Sequence, residues 1–223
     1  MTGGSFVREL ADLRQKLVDM GKAVLTMVET SVEALLSGDE EKAWWVINHD
    51  KDINAQENQN VDRAIRLIAM NQPVAGDLRF LASSLRLATE LERIGDLGAN
   101  LARRVLGVAK LTKEGAEIGP TPPELSSMAQ AATSMLAKAL AAFNERDSVA
   151  AELVLTLDDV IDDFNRRVRK LVLGSIYANG HLAAWGLEII NTSERLERLG
   201  DHATNLAEEV IYVAHGKNVR HKY

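Results

Sequence analysis

The hexapeptide LERIGD at 91–96 returns as LERLGD at 196–201, an offset of 196 − 91 = 105 residues. The likeness runs on from both copies. At the same offset Asn100, Leu101 and Ala102 recur as Asn205, Leu206 and Ala207. Further upstream the offset becomes 128 − 20 = 108, pairing Met20 with Met128, Met27 with Met135, Ala34 with Ala142, Asp39 with Asp147 and Asp50 with Asp158. The three-residue change falls between the second and third helical segments of each half, where loop length varies at little cost. A period this long exceeds any solenoid unit and identifies a duplicated module.

Each module reads as helices. Phe80, Leu87, Leu91, Ile94, Leu101, Val105 and Val108 recur at three- and four-residue steps, with Ser84 and Gly98 filling two slots. Ile189, Leu196, Leu199, Leu206, Val210 and Val213 repeat the stripe in the second half. The turns SGD at 37–39 and NERD at 144–147 each supply an Asp to cap the next helix, and Pro73 marks another break. The stretch EGAEIGPTPPE gathers three of the four prolines near the midpoint and reads as a linker. The spacing predicts six long helices, roughly 6–37, 39–70, 74–109, 122–145, 147–178 and 181–215. No segment alternates with period two for the length of a strand. The expected fold is all-α: two tandem, internally duplicated three-helix bundles at 1–110 and 124–216, with a linker at 111–123 and a tail at 217–223.

Composition narrows the function. The net charge of −6 provides no overall basic field for nucleic acid. The absence of Cys excludes a disulfide scaffold, a thiolate zinc site and a cysteine nucleophile. The opening MTGGSFVREL lacks the apolar core of a secretory leader, and no apolar run approaches the ~18 residues of a membrane span, so a cytoplasmic chain without a transmembrane segment is expected.

The acids of the hexapeptides carry the chemistry. Four residues of helix advance about 400°, so Glu92/Asp96 and Glu197/Asp201 each share one face about 6 Å apart along the axis. Like charges at that spacing repel, at about 0.2–0.5 kcal/mol when exposed. The pattern nevertheless recurs at Asp158/Asp162 and, weakened, at Asp50/Asn54. Leu78, Leu81, Leu85 and Ala88 precede Glu92 on the same face, as if a neighbouring helix covered part of it. If that neighbour is the second helix it brings Asp50 and Glu57; in the other half the fifth helix brings Asp158 and Asp162. Two such helices could meet at one hard cation, which prefers oxygen ligands and offsets their repulsion. The other reading is a solvated face on which Arg93 and Arg198 pair with the acids. Gly95 and Gly200, inside both copies, point to close helix approach, since Gly costs about 1 kcal/mol relative to Ala in a helix.

Other residues direct the function less. His202 follows Asp201 and either joins a site or serves as a surface or capping residue. No Glu-x-x-His occurs, so the ligands of a ferritin-like di-iron oxidase are missing, as are the HExxH, phosphate-loop and dinucleotide patterns. Trp44, Trp45 and Trp185 read as packing or interface residues, and RRVRK at 166–170 as a solvated basic face. Catalysis finds no support.

The segments GDLRFLASSLRLATELERIGDLGANLARR and LERLGDHATNLAEEVIYVAHGKNVRH, with FVRELADLRQKLVDMG near the start, resemble the PhoU family of phosphate transport system accessory regulators. The resemblance covers nearly the whole chain. It implies two three-helix bundles side by side, often as a homodimer, and metal ions, iron or zinc, held through E/DxxxD motifs. Carried over by position, the ligands are Asp50, Glu92 and Asp96 in the first bundle, and Asp158, Asp162, Glu197 and Asp201 in the second. Asn54 departs from the pattern where an acid is expected, which weakens the first-bundle site. The implied role is a non-enzymatic cytoplasmic adaptor between a phosphate ABC transporter, through its ATPase subunit, and a sensor histidine kinase. It would exert negative regulation when phosphate is plentiful, with membrane recruitment through these partners. The alternative is a metal-storage bundle or metal-dependent enzyme.

Overall fold

The computed structural model describes residues 3–216, which are helical almost throughout, with no strand among them. Helices α1 (Gly3–Ser37), α2 (Glu40–Asn71) and α3 (Ala75–Lys113) form the first module. The second consists of α4 (Pro123–Glu145), α5 (Ser148–Leu155), α6 (Asp158–Ala178) and α7 (Ala183–His215), the last entered through a single 3-10 turn at Gly180–Leu182. The all-α duplicated fold expected from the repeat is the fold observed. The tail expected at 217–223 lies outside the described residues.

The helix expected over 147–178 is two helices. Backbone N–H groups of Thr156 and Leu157 donate to Leu153 and Val154, three residues back instead of four, and the Thr156 hydroxyl also bonds the Leu153 carbonyl at 2.8 Å. This tightened turn interrupts the α-helical ladder and restarts it at Asp158. Neither Pro nor Gly marks the break.

The two α-helical hairpin turns are built alike. Gly38 and Arg146 both adopt left-handed backbone conformations, φ 71° and 59°, that close α1 and α4. The next residue then caps the following helix: Asp39 accepts from the Glu41 and Lys42 N–H groups at 2.9 and 3.0 Å, and Asp147 from Val149 and Ala150 at the same distances. Both caps are where the sequence placed them.

Equivalent residues do equivalent work in the core. Met20 and Met128, Met27 and Met135, and Ala34 and Ala142 are all buried, and the buried apolar residues of both modules form one continuous core. The modules join where α3 packs on α7 and α1 on α4. Contacts along α3 and α7 run in opposite directions: Arg86 meets Glu209, Glu90 meets His202 and Asn205, and Arg104 meets Glu188. The two hexapeptide helices are therefore antiparallel neighbours at the centre of the molecule. Trp185 is buried in this region, whereas Trp44 and Trp45 are exposed, with Trp45 stacked 4.0 Å from the His49 ring.

Candidate functional site

The glycines inside the hexapeptides face the same residue in each module. A Cβ on Gly95 would lie 3.2 Å from Ile53 Cγ2 on α2, and one on Gly200 would lie 2.8 Å from Ile161 Cδ1 on α6. Ile53 and Ile161 are equivalent at the 108-residue offset, and both are buried. The missing side chain lets the two helices of each pair close on this isoleucine. Acids on either side of the isoleucine then face those of the hexapeptide.

In the first module α2 contributes Asp50, Asn54 and Glu57, and α3 contributes Glu92 and Asp96. Asp50 is raised above the ordinary carboxylate range by burial first and by Asp96 second, with Arg103 opposing. Glu92 is raised by burial, then by Asp96, Glu57 and Asp50, with Arg93 opposing. Glu57 accepts a hydrogen bond from the Thr89 hydroxyl at 3.0 Å. In the second module Asp158 is raised by burial and then by Asp201, Asp162 and Asp159. Glu197 is raised by burial and then by Asp162, Asp201 and Glu194. Asp201 is an exposed residue, yet its carboxyl group is crowded enough by α6 that burial, followed by Asp162, raises it too, with His202 and Arg198 opposing. All seven residues named from the sequence thus fall into two clusters, one per module, within each of which the carboxylates repel one another.

The ion-paired face is not what forms. Among the described residues none of these seven carboxylates is in an ion pair, and Arg93 reaches Glu90 instead, at 3.6 Å. The side chains also do not already converge as ligands: among the described residues no three His, Asp or Glu are placed to hold a metal ion. Two atoms bear on the fit of a cation. Asp50 Oδ1 and Asn54 Oδ1, one helical turn apart, are buried oxygens without a hydrogen-bond partner among the described residues. Buried acceptors of this kind are costly unless something electropositive faces them. Hard oxygen donors in a net-negative cleft are the donor set of a multivalent cation, with Asn54 contributing an amide oxygen where the second module has Asp162.

Three features escaped the sequence reading. Asn165, the equivalent of Glu57, is buried; it donates to Glu197 Oε2 at 2.7 Å and accepts from the Ser193 hydroxyl at 2.8 Å, holding one acid of the second cluster. The 108-residue offset pointed to this position. His202 is neither a cluster member nor a surface residue: it is buried in the seam between modules, with Nδ1 2.6 Å from Glu90 Oε2. Burial pushes Glu90 up, but hydrogen bonds from His202 and Asn205 and the charges of His202 and Arg93 together outweigh it and hold the carboxyl below its ordinary value. The third is the basic run: Arg166, Arg167 and Arg169 are exposed as expected, but they pair with Asp163 and Glu194 while Val168 between them is buried.

Comparison with known proteins matches the same two units. The PhoU domain model matches residues 17–105 and again 125–210. A phosphate-specific transport system accessory protein PhoU homolog from Pseudomonas aeruginosa is 35% identical over 217 residues, covering 97% of this chain and 88% of the relative. The PhoU homolog 1 from Thermotoga maritima is 33% identical over 215 residues, covering 96% and 91%. The crystal structure of PhoU from Pseudomonas aeruginosa superposes with a TM-score of 0.89 at 33% identity, covering 95% of this chain and all of that one. The phosphate transport system regulatory protein PhoU from Streptococcus pneumoniae gives 0.86 at 30% identity, covering 96% and 99%. The duplication first seen in two hexapeptides is therefore a pair of PhoU domains, and the chain belongs to the PhoU family.

Proposed function

We propose that this protein is a non-enzymatic regulator of phosphate uptake and phosphate-starvation signalling. It would act in the cytoplasm as an adaptor between the ATPase subunit of a phosphate ABC transporter and a sensor histidine kinase. The observation that carries the reading is the match of both modules, over nearly their whole length, to relatives named as phosphate transport accessory and regulatory proteins. The architecture is compatible with such a role. No described helix is long and apolar enough to cross a membrane, so attachment would come through partners. A rigid double bundle can bias two partners at once, which is the physical content of coupling between them. In this reading the adaptor shuts off the starvation response when phosphate is plentiful and works as a homodimer.

The carboxylate clusters serve the adaptor as cation sites. Asp50, Asn54, Glu92 and Asp96 would hold one ion or ion group, and Asp158, Asp162, Glu197 and Asp201 another, with iron or zinc as the family-type occupants. The unpartnered oxygens of Asp50 and Asn54 support this. The bound cation supplies positive charge that locks α2 to α3 and α6 to α7.

Deleting the gene and measuring a phosphate-starvation reporter in high phosphate tests the regulatory role. Derepression is expected; a reporter that stays repressed overturns the assignment. Pull-down of the transporter ATPase and the kinase by the intact chain tests the adaptor role, and failure to retain either one contradicts it.

A further inference from the structure

The duplication built a second pair of equivalent features, at the hairpin ends of the modules. In the first, Leu35, Gly38, Val105, Val108 and Ala109 line an apolar crevice of about 320 Å³ that also reaches Trp185. In the second, Phe143, Arg146, Val210, Val213, Ala214 and Arg14 line one of about 280 Å³. The correspondence is residue by residue: Leu35 with Phe143 and Gly38 with Arg146 at an offset of 108, and Val105, Val108 and Ala109 with Val210, Val213 and Ala214 at 105. Trp185 likewise corresponds to Phe80, whose ring lies 4.2 Å beneath the Arg14 guanidinium. The apolar walls are shared. What differs is charge: the first crevice has Glu40 and Lys113, bonded to each other at 2.7 Å, whereas the second has Arg146, the equivalent of Gly38, and Arg14 from α1, whose equivalent is Pro122.

That difference goes against the easy choice of residue. Gly38 and Arg146 occupy the same left-handed position, φ 71° and 59°, which Gly adopts without strain and Arg does not. A second strain is electrostatic. Burial, and then the positive charge of Arg146, hold the Arg14 guanidinium down to about 10, still protonated at neutral pH. No residue lining the crevice is acidic, and among the described residues neither arginine is in an ion pair. Two guanidinium groups over an apolar wall, without a carboxylate between them, are complementary to an oxyanion on an apolar body.

We infer that the Arg14–Arg146 crevice is a binding site for an organic phosphate monoester, its dianionic head on the two guanidinium groups and its apolar part against Phe143, Val210 and Val213. A dianion matches the two positive charges, and the cavity is larger than inorganic phosphate alone would fill. The first-module crevice, whose one cation Lys113 is already paired with Glu40, would not bind such a ligand.

Isothermal titration of phenyl phosphate into the full chain, in a buffer free of phosphate, tests this. Saturable binding to one site is expected, with inorganic phosphate and benzoate both weaker. Arg146→Gly should weaken phenyl phosphate binding about tenfold or more, as loss of a charge-assisted hydrogen-bonding partner does. Because the first module carries Gly at this position, that variant should fold and melt no lower than the parent. Arg14→Gln should weaken binding as well. Absence of saturable binding to the parent chain overturns the inference, as does an Arg146→Gly affinity within about twofold of the parent's. Inorganic phosphate binding as tightly as phenyl phosphate overturns the apolar subsite.

Discussion

A methyl group added at Gly200 would sit 2.8 Å from the terminal Cδ1 of Ile161, which is the one carbon that Ile161→Val removes. The two substitutions should therefore compensate. Gly200→Ala alone sets a helix-propensity gain of about 1 kcal/mol against overpacking, and in the Ile161→Val background the clash is gone. A urea-unfolding double-mutant cycle should give a favourable coupling of about 0.5–1 kcal/mol, and additivity would show that this contact does not set the helix approach. Gly95→Val and Gly200→Val, which no small shift accommodates, should each cost about 1–3 kcal/mol. Asn54, like Glu57, is a residue at which the two clusters differ, with Asp162 and Asn165 in the second. Asn54→Asp adds a carboxylate beside the unpartnered Asp50, so it should lower the melting temperature of chelator-treated protein and enlarge the rise caused by added zinc. At this scale the sequence was informative because duplication displayed each residue twice. Asp50, Glu92 and Asp96 could be set beside Asp158, Glu197 and Asp201, and the glycines read as packing devices. His202 was not legible: its partner Glu90 is 112 positions away on another helix, and nothing local signals their contact.

Caps and breaks decide the elements. Asp39→Ala and Asp147→Ala each remove a side chain that accepts two backbone N–H groups, and each should cost about 1 kcal/mol in chemical denaturation. A change within experimental error at either site would mean that water caps the helix equally well. Helix ends marked by Asp, Gly or Pro could be read from the chain to within a few residues, since those residues act through their own backbone and near neighbours. The break between α5 and α6 could not. VLTLDD carries apolar and acidic residues that suit a continuous helix, and only the three-residue-back bonding at Thr156 and Leu157 ends it. The break has a consequence for the site, because Asp158 opens α6 whereas its equivalent Asp50 lies within α2. The two carboxylate clefts are thus related by duplication without being identical in backbone.

For the whole molecule, a core running through both modules and a polar seam of Arg86–Glu209, Glu90–His202 and Arg104–Glu188 predict a single cooperative unfolding transition. Two separate transitions in calorimetry would contradict that. Electrostatics adds a pH signature. Asp50, Glu92, Asp158, Glu197 and Asp201 are all raised in the folded state, so between their ordinary values of 3.8–4.5 and the raised ones the native protein binds more protons than the unfolded chain. Stability of metal-free protein should therefore rise as pH falls through the raised values toward the ordinary ones, the reverse of the usual acid response. Glu90, held below its ordinary 4.5, contributes stability that is lost only at lower pH, so it does not mask the trend. A saturating multivalent cation should flatten the slope by taking the place of the protons. The side-by-side arrangement of the modules was legible only through family resemblance, since periodicity says which face of a helix is buried but not against which partner. That the two carboxylate clefts are cation sites is the central claim, and metal content measured by inductively coupled plasma mass spectrometry is its most direct test. Protein purified without chelators should carry about one or more multivalent ions per chain, and the Glu197→Ala/Asp201→Ala variant should lose the share of the second module. Metal-free parent protein, or a variant with unchanged content, would contradict it.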